Sequence, residues 1–149
     1  CKYFEMKMVD KAVPIVIRKR KEAIELLVFD HPLAGRQLVK GTIEDDESAE
    51  AAAVRELLEE SGLDGVSQAI FLGVQEYAEV GQRWHFFQCL LDDTPLEHWN
   101  HFTSDGDGLT FRFCWQPLEQ PIGNPVGPVF EQARQFVEAK LGPLNMSHC

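Results

Sequence analysis

Apolar and polar positions change period along the chain, and the changes mark out its elements. Residues 12 to 18 and 24 to 30 are rich in Val, Ile, Leu and Phe and read as two strands of a hairpin, joined by a basic turn at Lys19, Arg20 and Lys21. Pro14 puts the first strand at a sheet edge or places Pro14 near the strand's start, because proline has no N–H for a ladder. Residues 31 to 35 are a loop and 37 to 41 a short strand. From Ala49 the period becomes helical. Ser48 is the expected N-cap, the run Ala49–Ala53 favours helix, and Gly62 is the expected stop. On a helical wheel Ala51, Val54, Leu57 and Leu58 share the side predicted to face the core. Glu56, Glu59 and Glu60 fall opposite, with the small Ala49, Ala52 and Ala53 around them leaving room for a ligand. Two long apolar runs, 69 to 80 and 84 to 91, form a second hairpin about Gly81-Gln82-Arg83. Residues 92 to 108 hold few apolar side chains and read as a loop, His101 being exposed there. Residues 109 to 115 alternate, Leu109, Phe111, Phe113 and Trp115 on one side and Thr110, Arg112 and Cys114 on the other, as in a half-buried strand. Residues 117 to 128 carry four prolines and two glycines and connect to a last helix over 129 to 141. The order of strands, helix, strands and helix predicts an α/β class, with helices packed on a mixed β-sheet.

Composition narrows the function. A chain of 149 residues with 44% hydrophobic and 26% charged content fits one globular domain, 1–149. A net charge of −10 argues against coating a nucleic-acid duplex, which asks for a basic face. No stretch reaches the ~18 apolar residues of a membrane span, and no signal peptide is visible. Cys1, Cys89, Cys114 and Cys149 include no Cys-x-x-Cys pair, which speaks against zinc. Cys89 and Cys114 sit in apolar runs as buried thiols, which predicts a reducing cytoplasm.

The charge is concentrated. Residues 41 to 60 hold eight acids and one base, Arg55, giving −7 of the total −10. Two features of this stretch oppose helix stability. Glu56 and Glu60 are like charges at i,i+4, worth roughly 0.2–0.5 kcal/mol of repulsion. All three glutamates also lie toward the negative end of the helix dipole, at ~0.3–1 kcal/mol per charge in the last turn. A divalent cation cancels both terms, and three carboxylates suit Mg²⁺, with Mn²⁺ as the alternative, since both are hard ions that take oxygen ligands. The competing reading is a solvated acidic face that keeps a scaffold soluble.

Spacing decides between them. Gly41-x5-Glu47-x7-Arg55-Glu56-Leu57-x-Glu59-Glu60-x-Gly62-Leu63 resembles the signature box of the Nudix hydrolases, with all nine defining positions filled. The resemblance implies an α/β/α sandwich in which the box helix and a C-terminal helix pack on the sheet. It implies a hydrolase that cleaves the phosphoric anhydride of a nucleoside diphosphate linked to another group X. By the pattern, Glu56, Glu59 and Glu60 hold metal, joined by a backbone carbonyl near the leading glycine, where Lys40 and Gly41 are the matching positions. Catalytic roles fall to Glu59, Glu56 and Arg55. Arg55 steadies Glu47 or Glu56 rather than touching substrate, and Glu47, Gly41 and Gly62 are structural. A loop at about the distance of Asp105 and Asp107 often supplies one more carboxylate in the family, while in this chain Ser104–Gly108 also suits plain turn chemistry. The general base lies in the box or in that loop. The alternative is a non-catalytic nucleotide sensor on the same fold. The resemblance also admits a homodimer through sheet edges, which nothing in the sequence requires. No marker downstream of the box selects a substrate; Tyr77 lies near, but offset from, the position used for dinucleoside polyphosphates.

Overall fold

The structure, a computed structural model, describes residues 7–103 and 108–142. The strand predicted over 12 to 18 exists but changes sheets at Val16. Its first part, β1 (Val9–Ile15), lies in sheet A; its second, β2 (Ile17–Arg20), forms the predicted hairpin with β3 (Ala23–His31) in sheet B. The hairpin turns at Lys21, whose φ is 59°. The strand expected over 37 to 41 is divided in the same way. β4 (Gly35–Gln37) pairs with β3, and β5 (Gly41–Thr42) pairs with β1, while Leu38 and Val39 between them are buried. Helix α1 spans Ala49–Ser61, and the second predicted hairpin is β6 (Val66–Tyr77) with β7 (Gln82–Leu91). Residues 92 to 103 are not all loop, because β8 (Trp99–Thr103) pairs antiparallel with β9 (Leu109–Pro117). Helix α2 spans Val129–Leu141.

The strands therefore form two sheets rather than a single mixed one. Sheet A runs β5-β1-β7-β6 and is mixed, since β1 and β7 are parallel and the other pairs antiparallel. Sheet B runs β2-β3-β9-β8 with β4 on β3, and its pairs are all antiparallel. Pro14 pairs with Phe87 on the β7 side, and the β5 ladder has already ended at Ala12, so the missing N–H costs no bond there.

Strand alternation sends side chains to both helices. Ala12 and Phe87 pack with Ala52 and Ala53 of α1. Val13 and Phe86 point the other way, into a cluster with Phe130, Ala133 and Val137 of α2 and with Leu26 and Val28 of β3. The opposite face of β3 sends Leu27 and Phe29 toward Leu57 of α1, with Phe111 and Phe113 of β9. The helices thus lie on opposite faces of sheet A, the α/β/α arrangement. Fully buried side chains such as Trp84, Phe86 and Leu57 contribute ~1.5–3 kcal/mol each toward holding it.

Candidate active site

The local sequence sets the ends of α1. Ser48 Oγ accepts from the Ala51 N–H at 3.0 Å, and Gly62 stops the helix in the left-handed region at φ 79°, donating its N–H to the Leu58 carbonyl. The face it buries agrees with the wheel at Leu57 but is rotated away from Ala51 and Leu58. Ala52, Ala53, Glu56 and Leu57 are buried, while Ala51 is exposed and Leu58 is 45% exposed. The reason is steric. Ala12, Ala52 and Ala53 have no exposure at all, so small side chains on both sides bring helix and sheet close together. The alanines expected to leave room for a ligand instead make this seam. One row of the acidic face is carried inward with them, and Glu56 is only 8% exposed.

A buried carboxylate needs space and a partner. Gly41 supplies the space: a Cβ at that position would overlap the Glu56 carboxyl group. Arg55 supplies the partner. Its Nη1 donates to Glu56 Oε1 at 2.7 Å and to Glu59 Oε2 at 3.2 Å. Its Nε and Nη2 hold both oxygens of Glu47, at 3.0 and 2.5 Å, and Nη2 also donates to the Thr42 carbonyl at 3.1 Å. Where the sequence left Glu47 or Glu56 as the partner, the rigid guanidinium takes both, and Glu59 as well. Arg55 holds the Glu47 carboxyl below the usual range, helped by the Glu44 N–H, and the Arg55 guanidinium is itself pushed well above its ordinary value, chiefly by Glu47.

Lys40, just before Gly41, lies half-buried with its Nζ 5.8 Å from the centre of the Trp84 ring. Burial pushes its ammonium below the ordinary lysine value and Lys11 adds to that, against the pull of Glu60 and Glu56. Lys11 Nζ donates to Thr42 Oγ1 at 2.8 Å.

Strand β8 holds the other end of α1. The Trp99 indole N–H donates to the Ser61 carbonyl at 2.8 Å, and His101 Nε2 lies 3.1 Å from the Glu59 carbonyl, a contact it makes as the protonated nitrogen. His101 also sits where a side chain on Gly62 would go. His101 was expected to be exposed; it is half-buried and ties the turn that carries Glu59 and Glu60. The signal was present as alternation, Trp99, His101 and Thr103 sharing one face, but polar composition and Pro95 hid it. Beside this end of the helix lies a cavity of about 360 Å³ lined by Leu63, Leu91, Pro95, Trp99 and His101 among others. Asp105 and Asp107 lie outside the described residues.

The donor set along α1 is hard oxygen: the carboxylates of Glu56, Glu59 and Glu60, with Gly41 beside the first. Among the described residues no three His, Cys, Asp or Glu side chains converge on one point. In this conformation Arg55 Nη1 stands between Glu56 and Glu59. The donors nevertheless fit a divalent ion in kind, all oxygen and mostly anionic, and the cradle that Gly41 keeps open is where a Cβ would obstruct them.

Known proteins share this fold. A family model described as NUDIX domain matches residues 8–139. No curated protein gives a significant match. Among solved structures the chain is similar to a MutT from work on Aliivibrio salmonicida and Vibrio cholerae, with 19% identity, a TM-score of 0.65, and coverage of 91% of this chain and 100% of that one. It is similar to an Ap4A hydrolase of C. elegans, with 19% identity, a TM-score of 0.54 and coverage of 93% and 94%. It is also similar to the NUDIX domain of Shewanella oneidensis NrtR complexed with ADP ribose, with 16% identity, a TM-score of 0.54 and coverage of 87% and 88%. At these identities the structures show the shared fold, and the family match runs through both sheets and nearly all of α2. That match includes the whole of residues 41–63, and the chain belongs to the Nudix family of pyrophosphohydrolases.

Proposed function

We propose that this chain, one domain over 1–149, is a Mg²⁺-dependent hydrolase, with Mn²⁺ able to substitute. It splits the phosphoric anhydride of a nucleoside diphosphate linked to X into a nucleoside phosphate and phosphorylated X. The observation that carries this reading is Glu56: a carboxylate buried against a glycine that leaves it room, and steadied by an arginine that also holds Glu47 and Glu59. Glu56, Glu59 and Glu60 hold the ion, with the Gly41 carbonyl beside them. When bound, the ion acidifies a water and offsets charge developing on the phosphoryl group. Arg55 positions Glu56 and Glu59 and stays off the substrate. One carboxylate, in the box or at Asp105 or Asp107, takes the proton of the attacking water. The partner is a small nucleotide derivative rather than a duplex. No helix among the described residues is long and apolar enough to cross a membrane. We place the protein in the cytoplasm, in keeping with free thiols at Cys89 and Cys114.

A panel of nucleoside triphosphates, nucleotide sugars, ADP-ribose, dinucleoside polyphosphates and coenzyme A, assayed with Mg²⁺, tests the reaction. Glu59→Gln and Glu60→Gln should each lower turnover by roughly a hundredfold or more, the scale of lost electrostatic stabilisation at a reacting phosphoryl group, with folding retained. Turnover close to wild type in both variants would remove these residues from the site. Tight nucleotide binding without turnover on any candidate would instead support the sensor.

A further inference from the structure

The last turn of α1 carries Glu59 and Glu60, and it is the least anchored part of the helix. Leu57 and Ser61 are buried, whereas Leu58, Glu59 and Glu60 between them are exposed or half-buried. A helix leaves its last four carbonyls without intrahelical donors, and its ends fray first. Two carboxylates at the negative end of the dipole add to that tendency. Helix α2 has Lys140 in its last turn to offset this, and α1 has no basic residue in its own. The donors come instead from β8, the edge strand of sheet B. Trp99 fills the Ser61 carbonyl at 2.8 Å and His101 fills the Glu59 carbonyl at 3.1 Å. Both rings are held in place. Trp99 lies opposite Phe113 on β9 and stacks on it, with centroids 5.2 Å apart and planes 8° from parallel. His101 stands over Gly62, where a Cβ would come within 2.9 Å of its Nδ1. Gly62 therefore ends the helix and also lets the imidazole reach past it to the Glu59 carbonyl.

We propose that Trp99 and His101 are positioning residues for the metal centre: they hold the last turn of α1 closed, so that Glu59 and Glu60 are in place beside Glu56 before the ion arrives. Neither touches substrate or ion. Each acts through a backbone carbonyl of the turn that carries the ligands. Without these two donors the ion itself must order the turn, and its apparent affinity falls by the fraction of time the turn is formed. The body of the helix does not depend on them, because Ala52, Ala53 and Leu57 fix it against the sheets. This inference rests on the hydrolase reading, whose metal ligands it concerns.

Calorimetric titration of Mg²⁺ into the full chain, with hydrogen exchange on the metal-free protein, reads the turn without turnover. Trp99→Phe keeps a ring to stack on Phe113 and loses only the N–H. His101→Leu loses the donor, and His101→Gln keeps one. Trp99→Phe and His101→Leu should each weaken Mg²⁺ by about 10-fold, the low end of the range for groups that orient metal ligands. His101→Gln should stay within about 3-fold of wild type. In the metal-free state the amides of residues 60–63, among them the Gly62 N–H on the Leu58 carbonyl and the Leu63 N–H on Ser61 Oγ, should exchange about 10-fold faster in Trp99→Phe and His101→Leu. The amides of residues 53–57 should keep their wild-type rates, and saturating Mg²⁺ should restore those of 60–63. Mg²⁺ bound equally by wild type, Trp99→Phe and His101→Leu overturns the inference alone. So does exchange that quickens equally over 53–57 and 60–63, which marks β8 as support for the fold at large. His101→Gln as weak as His101→Leu removes the hydrogen bond from His101's role. A wild type that binds no Mg²⁺ overturns the hydrolase reading, and this inference with it.

Discussion

The smallest residue in the site carries the most geometric information. Gly41 is outside the left-handed region, so its backbone is one that any residue can adopt, and the demand on it is purely steric. The atoms that a new Cβ would meet are the far end of the Glu56 side chain, which can swing aside at little cost to the fold. Gly41→Ala should therefore leave stability within about 1 kcal/mol, at the mild end of overpacking. It should nevertheless cut Mg²⁺ affinity and turnover by about 10–100-fold, the range seen when groups supporting metal ligands are disturbed. Urea unfolding beside a Mg²⁺ titration separates the two effects; a large stability loss with metal binding intact would show that the glycine serves the fold instead. Gly62 is the contrasting case, because there φ is 79° and a side chain would be strained whatever the space around it.

At the level of elements, the box helix was legible in extent and partly wrong in orientation. Ser48 and Gly62 fixed both ends because caps are local chemistry. The buried face is not local. It depends on Ala12, forty positions earlier, presenting a surface small enough for Ala52 and Ala53 to approach, and no periodicity within the helix encodes that. Strand β8 was missed for a related reason, since its Trp99 stacks on Phe113 of β9 and, with His101, meets carbonyls of α1, partners that lie on other elements. Helix α2 was placed correctly from its apolar side, but the sequence did not disclose that Arg134 is buried on it. Arg134 donates to Glu131 at 2.7 Å, to Glu138 at 2.8 Å and to the Leu118 carbonyl at 2.9 Å, and Glu131 in turn accepts from the Ile122 N–H. This network ties α2 to the connector. Arg134 pulls the Glu131 carboxyl down to about 2, from an ordinary 4.5. Because the folded value is the lower one, the stabilisation is complete above pH 4.5 and is lost as the pH falls from 4.5 toward 2. Glu131→Gln should cost about 2–3 kcal/mol at pH 7, and the gap from wild type should close across that acid window. Denaturant melts at pH 7 and at low pH check it; a gap independent of pH would mean that packing, not charge, is what the variant loses.

Over the whole molecule the charge distribution sets what folding and metal binding can do to each other. The −7 of residues 41 to 60 is drawn onto one helix and its entry loop, and Arg55 answers only part of it. Packing cannot relieve the remainder, because α1 is fixed between both sheets by Ala52, Ala53 and Leu57. Without a divalent ion, the protein should be stabilised by monovalent salt, which screens charges beyond a Debye length of ~10 Å at 0.1 M and ~3 Å at 1 M. With Mg²⁺ present the same salt should do much less, since the repulsion is already cancelled at its source. Mg²⁺ at about a hundred times its dissociation constant should add about 2.7 kcal/mol, or about 5–11 °C in Tm for a domain of this size. Glu60→Gln should shrink that increment while making the metal-free protein less sensitive to salt. Thermal melts in chelator and in Mg²⁺, each across a salt series, test both halves together. If salt raised Tm equally with and without Mg²⁺, the acidic face would be an ordinary solvated surface, and the burial of Glu56 would have to be explained by Arg55 alone.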